Sequence, residues 1–430
     1  MRNALRGIVT AAIVLAFAAV PASAADALTL DDYFAAALKR SEVVATQVEL
    51  IRQAEERYQQ ARATIFPAVN GIVGYTQQEA TPAGSLPTSS IANRQSQVRL
   101  NVTQPLFRGF REFAGLRQTQ ALIGAQSQDY FNAQIQLFRD VAQNFYTILS
   151  TEQDLRNLEE EIVQNQKREA ELNSRVRIGR SRTSEVLTVQ STISTLRAQV
   201  EQLQAQLRAA REAFAFLSGL DAGTPLNDVE TLPAEVEPLS DYLGNIDERP
   251  DLRASQQRLA AADENVAIAR GARLPSVDLT GNYYLARSGG LIGDVSWDVQ
   301  LALTVPLYAG GGLESRVRES LSQRTQAELA LNQLRRQAEQ QIRSAYDNTV
   351  YDRAQLAALE RATDTARRNY EVQSREYRLG LVTNLDVLQA LTTYLENQRA
   401  LDRARFTAKL NYLTLQAASV RRPVLQGDAR

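Results

Sequence analysis

The side chains that could do chemistry in this chain are Asp, Glu, Tyr and Arg, because its 430 residues contain no histidine and no cysteine. Without an imidazole there is no Ser-His-Asp triad, no histidine base and no histidine metal site. Without a thiol there is no disulfide, no thiolate nucleophile and no structural zinc. A carboxylate pair working as general acid and base is the reaction type left, and no motif sets two acidic residues together for it. The 48 basic and 49 acidic residues balance, and no basic cluster invites a nucleic acid. The expectation is a protein that is not an enzyme, with no cofactor and no metal.

The elements that must position these residues begin with an export signal. Arg2 and Arg6 precede the apolar run from Ile8 to Val20, and Pro21-Ala22-Ser23-Ala24 ends in a small-x-small site. Residues 1–24 therefore read as a secretory signal peptide. The apolar run is shorter than the ~20 residues a spanning helix needs. An exported chain with no such helix can enter a membrane only as a closed β-barrel.

The rest is one unit written twice. Val98 to Gly109 and Val299 to Gly310 share six of twelve residues at an offset of 201. Arg177-Ile178-Gly179 through Leu187 matches Arg378-Leu379-Gly380 through Leu388 at the same offset. Pro105 to Gly179 and Pro306 to Gly380 are both 74 residues apart, as paired rigid rods require. The division expected is a first repeat over 25–220 and a second over 221–430.

Each copy reads helix, strand, loop, strand, long helix, turn, helix. In the first, Leu30 to Thr64 is helical in composition, and a polar loop with Pro82, Gly84 and Pro87 separates two strands. Arg111 to Arg177 has no proline and forms one helix of about 100 Å at ~1.5 Å per residue. Gly179 supplies the turn. Val186, Val189, Ile193, Leu196, Val200, Leu203, Leu207, Ala210, Phe214 and Leu217 then step by three and four, a coiled-coil seam. The second copy repeats the rhythm from Ala338 through Ile342, Ala345 and Thr349 to Tyr370.

Four strands, about 67–76, 97–105, 275–284 and 296–305, alternate apolar and polar residues: Val98, Leu100 and Val102 against Arg99, Asn101 and Thr103, for example. Phe66, Tyr75, Phe107, Tyr283, Tyr284, Trp297 and Tyr308 cluster near their ends, as in an interfacial girdle. An ordinary sheet packed on helices shows the same alternation. If these strands span a membrane, four are too few, since bacterial barrels need at least about eight. Two or more chains must then share one barrel.

The pattern resembles the TolC-type outer-membrane efflux proteins from about Leu28 to Ala418. It does so most specifically at the paired junctions Gln104-Pro105-Leu106-Phe107-Arg108-Gly109 and Val305-Pro306-Leu307-Tyr308-Ala309-Gly310-Gly311 and at the paired turns from Arg177 to Leu187 and from Tyr377 to Leu388. The resemblance implies a mainly α fold with membrane β. Long antiparallel coiled-coil hairpins and four transmembrane strands per protomer would assemble as a homotrimer, with a 12-stranded barrel in outer-membrane lipid and an α-helical periplasmic tunnel. It implies an exit duct of a Gram-negative cell, docked on an inner-membrane transporter through a periplasmic adaptor, for drugs, small molecules or secreted polypeptides. The segment 219–250 would form a belt around the tunnel.

By the same resemblance Asp386 falls on a gate aspartate, Tyr377 on a gate tyrosine, Glu185 on its acidic partner and Ser184 on a neighbouring hydroxyl. The second gate aspartate is Gln389 here and the gate arginine is Val382, with Arg180 or Arg182 as candidates for the missing cation. Gly179, Ser181, Gly380 and Leu381 look like adaptor-docking turn positions. Without the resemblance, Asp386 reads as a helix N-terminal charge and the glycines as C-caps. The alternative function is a periplasmic coiled-coil adaptor or structural protein, in which a single hairpin would interrupt a lipoyl-type β domain.

Overall fold

The computed structural model describes residues 27–77, 94–287 and 295–422. The signal peptide expected over 1–24 and the loop with Pro82, Gly84 and Pro87 lie outside them. The order is α1 (Leu30–Arg40), α2 (Glu42–Ala63), β1 (Ala68–Gln77), β2 (Arg94–Phe107), α3 (Arg111–Arg177), α4 (Thr183–Ser218), α5 (Leu239–Leu243), α6 (Pro250–Gly271), β3 (Ser276–Arg287), β4 (Trp297–Thr304), α7 (Gly312–Leu379) and α8 (Asn384–Ala418).

The leading helix differs from the sequence reading, because Ser41 divides it. Ser41 is extended at φ −61° and ψ 108°, and its hydroxyl accepts from the Val44 amide at 3.3 Å to cap α2. A serine offers the backbone this local bond in place of the helical one. The break lets α1 turn Tyr33, Phe34 and Ala37 into a core with Phe138, Phe145 and Phe214. Between α4 and α6, Leu28 bridges Leu226 and α5 packs Tyr242 against Ile342.

The seam of α4 is buried at Val186, Val189, Ile193 and Leu196 and again at Phe214, each facing inward as a 3/4 rhythm requires. A second seam, between α3 and α8, joins the two hairpins and is polar. Asp154, 5% exposed, accepts from Arg399 Nε at 3.0 Å and Arg403 Nε at 2.8 Å, and Asn157 donates to Asp402 at 2.9 Å. Buried charges must be paired in this way.

The four strands form one antiparallel sheet in chain order. Its register places Val69, Leu100, Tyr283 and Trp297 on one face together with Val102, Val299, Leu301 and Leu303, all exposed. The other face carries Asn70, Asn101, Asn282 and Asp298 in one row. Tyr284 lies on this polar face by alternation with Tyr283, and the register shift beyond it turns Arg287, opposite Gln97, onto the same face. The outer edges, β1 and β4, pair with nothing among the described residues. No helix among the described residues is long and apolar enough to cross a membrane.

A tyrosine clasp at the paired helical turns

The two hairpins end side by side, at the turn from α3 to α4 and the turn from α7 to α8. Gly179 and Gly380 take φ +70° and +77°, the left-handed region that glycine enters without cost. Gly380 closes α7 by donating to Tyr377, and Leu381 donates to Glu376. This C-cap presents Leu379, Leu381 and Leu385 to solvent on the second hairpin, beside Ile178 and Leu187 on the first.

Behind these turns lies a cleft of about 580 Å³. Ser184, Glu185, Tyr377 and Gly380 line it together, with Arg175, Arg180, Arg182, Val382 and Asn384 among the other lining residues. Ser181 donates to Glu185 Oε2 at 2.6 Å, which fixes that carboxylate within its own hairpin.

Asp386 stands apart, on the exposed face of α8. Its carboxylate accepts from the Thr383 amide at 2.8 Å and the Thr383 hydroxyl at 2.6 Å, while its own amide donates to Thr383 at 3.3 Å. This is a reciprocal capping box. The Thr383 hydroxyl, then the Thr383 amide, hold the Asp386 carboxyl below the usual carboxylate range. Gln389 is exposed one turn further along α8. Gly179 and Leu381 are exposed as well.

Tyr377 is 7% exposed and packs its ring with Leu172, Val186, Val189 and Val387. Two guanidiniums of α3 complete its surroundings: Arg168 Cζ lies 4.0 Å from the ring centroid and Arg175 Cζ 4.3 Å. The two are seven residues apart, hence on one face of α3. Glu171 sits between them and pairs with both, at 2.9 and 3.1 Å. Arg168 Nε also donates to Asn384 Oδ1 at 2.9 Å, at the start of α8. One helix of the first hairpin thus holds both helices of the second.

Arg168, Glu171, Arg175 and Asn384 were not singled out in the sequence. Arg180 and Arg182 line the cleft, but the cations that reach the tyrosine come from further up α3. The available signal was the heptad spacing of Arg168 and Arg175 around Leu172 on a face that should be apolar. No cluster of acidic residues that could hold a metal occurs among the described residues.

The chain matches the family model described as Outer membrane efflux protein over residues 12–220 and 245–419. It is similar to the outer membrane efflux protein BepC of Brucella suis biovar 1 (strain 1330), at 24% identity over 414 residues, covering 94% of this chain and 87% of that protein. The outer membrane protein TolC of Escherichia coli (strain K12) is 22% identical over 381 residues, covering 84% and 76%. Among solved structures, the outer membrane protein VceC of Vibrio cholerae superposes with a TM-score of 0.81 at 20% identity, over 91% of this chain and 95% of that one. The open state of the MtrE outer membrane channel of Neisseria gonorrhoeae gives 0.74 at 20% identity, over 91% and 88%.

Proposed function

The chain belongs to the outer membrane efflux protein family, and from that membership we propose that three copies close one 12-stranded barrel above a common helical tunnel. The protein is an outer-membrane efflux channel of the Gram-negative envelope, the exit duct of an efflux system. The driving energy comes from an inner-membrane transporter reached through a periplasmic adaptor, and the duct itself catalyses no reaction. Its two repeats, 25–220 and 221–430, each contribute two strands and one hairpin.

The observation that carries this reading is the four-stranded sheet with an exposed apolar face, a polar face and two edges unpaired among the described residues. In water such a surface would drive aggregation. In lipid the apolar face is satisfied, and the edges are satisfied once β4 of one copy pairs with β1 of the next. An adaptor or structural coiled coil has no need of this sheet.

The turns form the periplasmic entrance. Asp386 of three copies makes an acidic ring there that favours cations, with Gln389 a neutral position beside it. Tyr377, gripped by Arg168 and Arg175, holds the second hairpin against the first, and Glu185 and Ser184 line the gate beside it. Gly179, Ser181, Gly380 and Leu381 present the surface on which the adaptor docks. Purified protein should fractionate with outer membranes, migrate as a heat-modifiable trimer and conduct in planar bilayers. A water-soluble monomer that never conducts would overturn the reading.

A further inference from the structure

We infer that the polar face of the sheet is an anion-selecting belt, in which Arg99 and Arg287 engage carboxylate- or phosphate-bearing cargo as it leaves. The inference rests on the closed barrel proposed above, whose lumen this face would line.

Arg99 on β2 faces Tyr284 on β3, and one rung higher Gln97 faces Arg287. Alternation along β2 puts Arg99 on the face opposite Leu100, and the register shift between Tyr284 and Ala286 puts Arg287, paired with Gln97, on that same face. Arg287 Cζ lies 4.6 Å from the Tyr284 ring centroid, so the ring holds that guanidinium flat along the wall. Arg99 Nε is shielded from solvent and has no hydrogen-bond partner among the described residues.

The acidic groups of this face are already engaged. Asp298 accepts from Asn282 Nδ2 at 2.9 Å, and the Asn282 carbonyl accepts from Asn101 Nδ2 at 3.0 Å, a ladder of amides across three strands. Asp278, near the tunnel end, accepts from Arg108 Nε at 2.8 Å. Among the described residues, two arginines therefore oppose the single carboxylate of Asp298 in the outer half of the face. Within those residues each copy adds one surplus positive charge to a channel with low-dielectric walls, which focus the field of a charged ring on whatever passes. The acidic entrance and the basic belt then sort cargo at opposite ends of one duct.

The test is reversal potential in planar bilayers under a KCl gradient, with inorganic pyrophosphate added as a blocker. Wild-type protein is expected to be blocked by pyrophosphate. The Arg99→Gln/Arg287→Gln variant should lose that block and lower its chloride-to-potassium permeability ratio about twofold or more, as removal of a charged ring does. Asp298→Asn, which keeps its shape, should move the ratio the opposite way, and it carries the test if the arginine variant does not assemble. Unchanged ratio and block in conducting pores would overturn the belt and leave the barrel standing. Wild-type protein that forms no pores would overturn both.

Discussion

Arg168 on α3 and Tyr377 on α7 stand 209 positions apart in sequence, yet the guanidinium carbon lies 4.0 Å from the ring centroid. The contact ties the first hairpin to the second at the tunnel tip. Its strength comes from two sources: the cation on the ring, and the buried charge-assisted bond from Arg168 to Asn384.

Removing Arg168 should therefore favour the open entrance. Arg168→Ala is expected to shift the closed-to-open balance by about 2 kcal/mol, roughly thirtyfold. Single-channel recording would show this as a raised mean conductance. The ring rather than the hydroxyl is the partner, since the Tyr377 hydroxyl makes no hydrogen bond among the described residues. Tyr377→Phe should accordingly change conductance little, and Tyr377→Leu should raise it as Arg168→Ala does. A large effect of Tyr377→Phe would instead assign the closure to a bond from the hydroxyl.

Asp386 should act as a fixed charge. Its folded pKa is depressed, so the stability its capping bonds contribute is present above the ordinary carboxylate value of 3.8 and is lost only as pH falls through the lower folded value. The cation preference it confers is expected to stay level between about pH 5 and pH 8. Asp386→Asn should lower that preference at every pH in the range. A preference that titrates near pH 6 would point to a different group.

Glu161 should behave in the opposite sense. It lies 5% exposed in the α3–α8 seam. Burial raises its pKa, the charge of Arg399 opposes the rise, and Glu396 adds to it. The folded seam prefers the neutral carboxyl, so its contribution to stability is fully present below the ordinary value of 4.5 and falls as pH rises through the raised one. Amides of residues 157–168, corrected for intrinsic rates, are expected to exchange more slowly at about pH 4.5 than at about pH 7.5. Glu161→Gln should abolish the difference.

The two strand-to-helix junctions should respond unequally to the same change. A Cβ on Gly109, at φ +68°, would lie 2.2 Å from the Gly271 carbonyl oxygen. A Cβ on Gly310, at φ +62°, would meet nothing within 4 Å in the protomer. Gly310→Ala is expected to cost about 1–2 kcal/mol of backbone strain alone, and Gly109→Ala at least about 3 kcal/mol because α6 must also shift. The midpoint of the heat-induced mobility change would measure both. An equal loss for Gly310→Ala would show that a neighbouring copy crowds that junction.

The sequence by itself determined whatever has a local period. The bounds of α3 coincide with the proline-free stretch from Arg111 to Arg177, the α4 seam buries the residues its 3/4 rhythm selects, and the strands sort Leu100 from Arg99 by alternation alone. These follow because a helix or a strand repeats its geometry along the chain, so a face can be read without knowing what covers it. The tertiary structure alone decided which distant faces meet. It brought Arg168, Arg175 and Asn384 to Tyr377, and a register shift between β2 and β3 turned Arg287 onto the polar face opposite Gln97. Such pairings carry no periodic signature, since each is fixed by how whole rods and strands pack and not by the residues next to it in the chain.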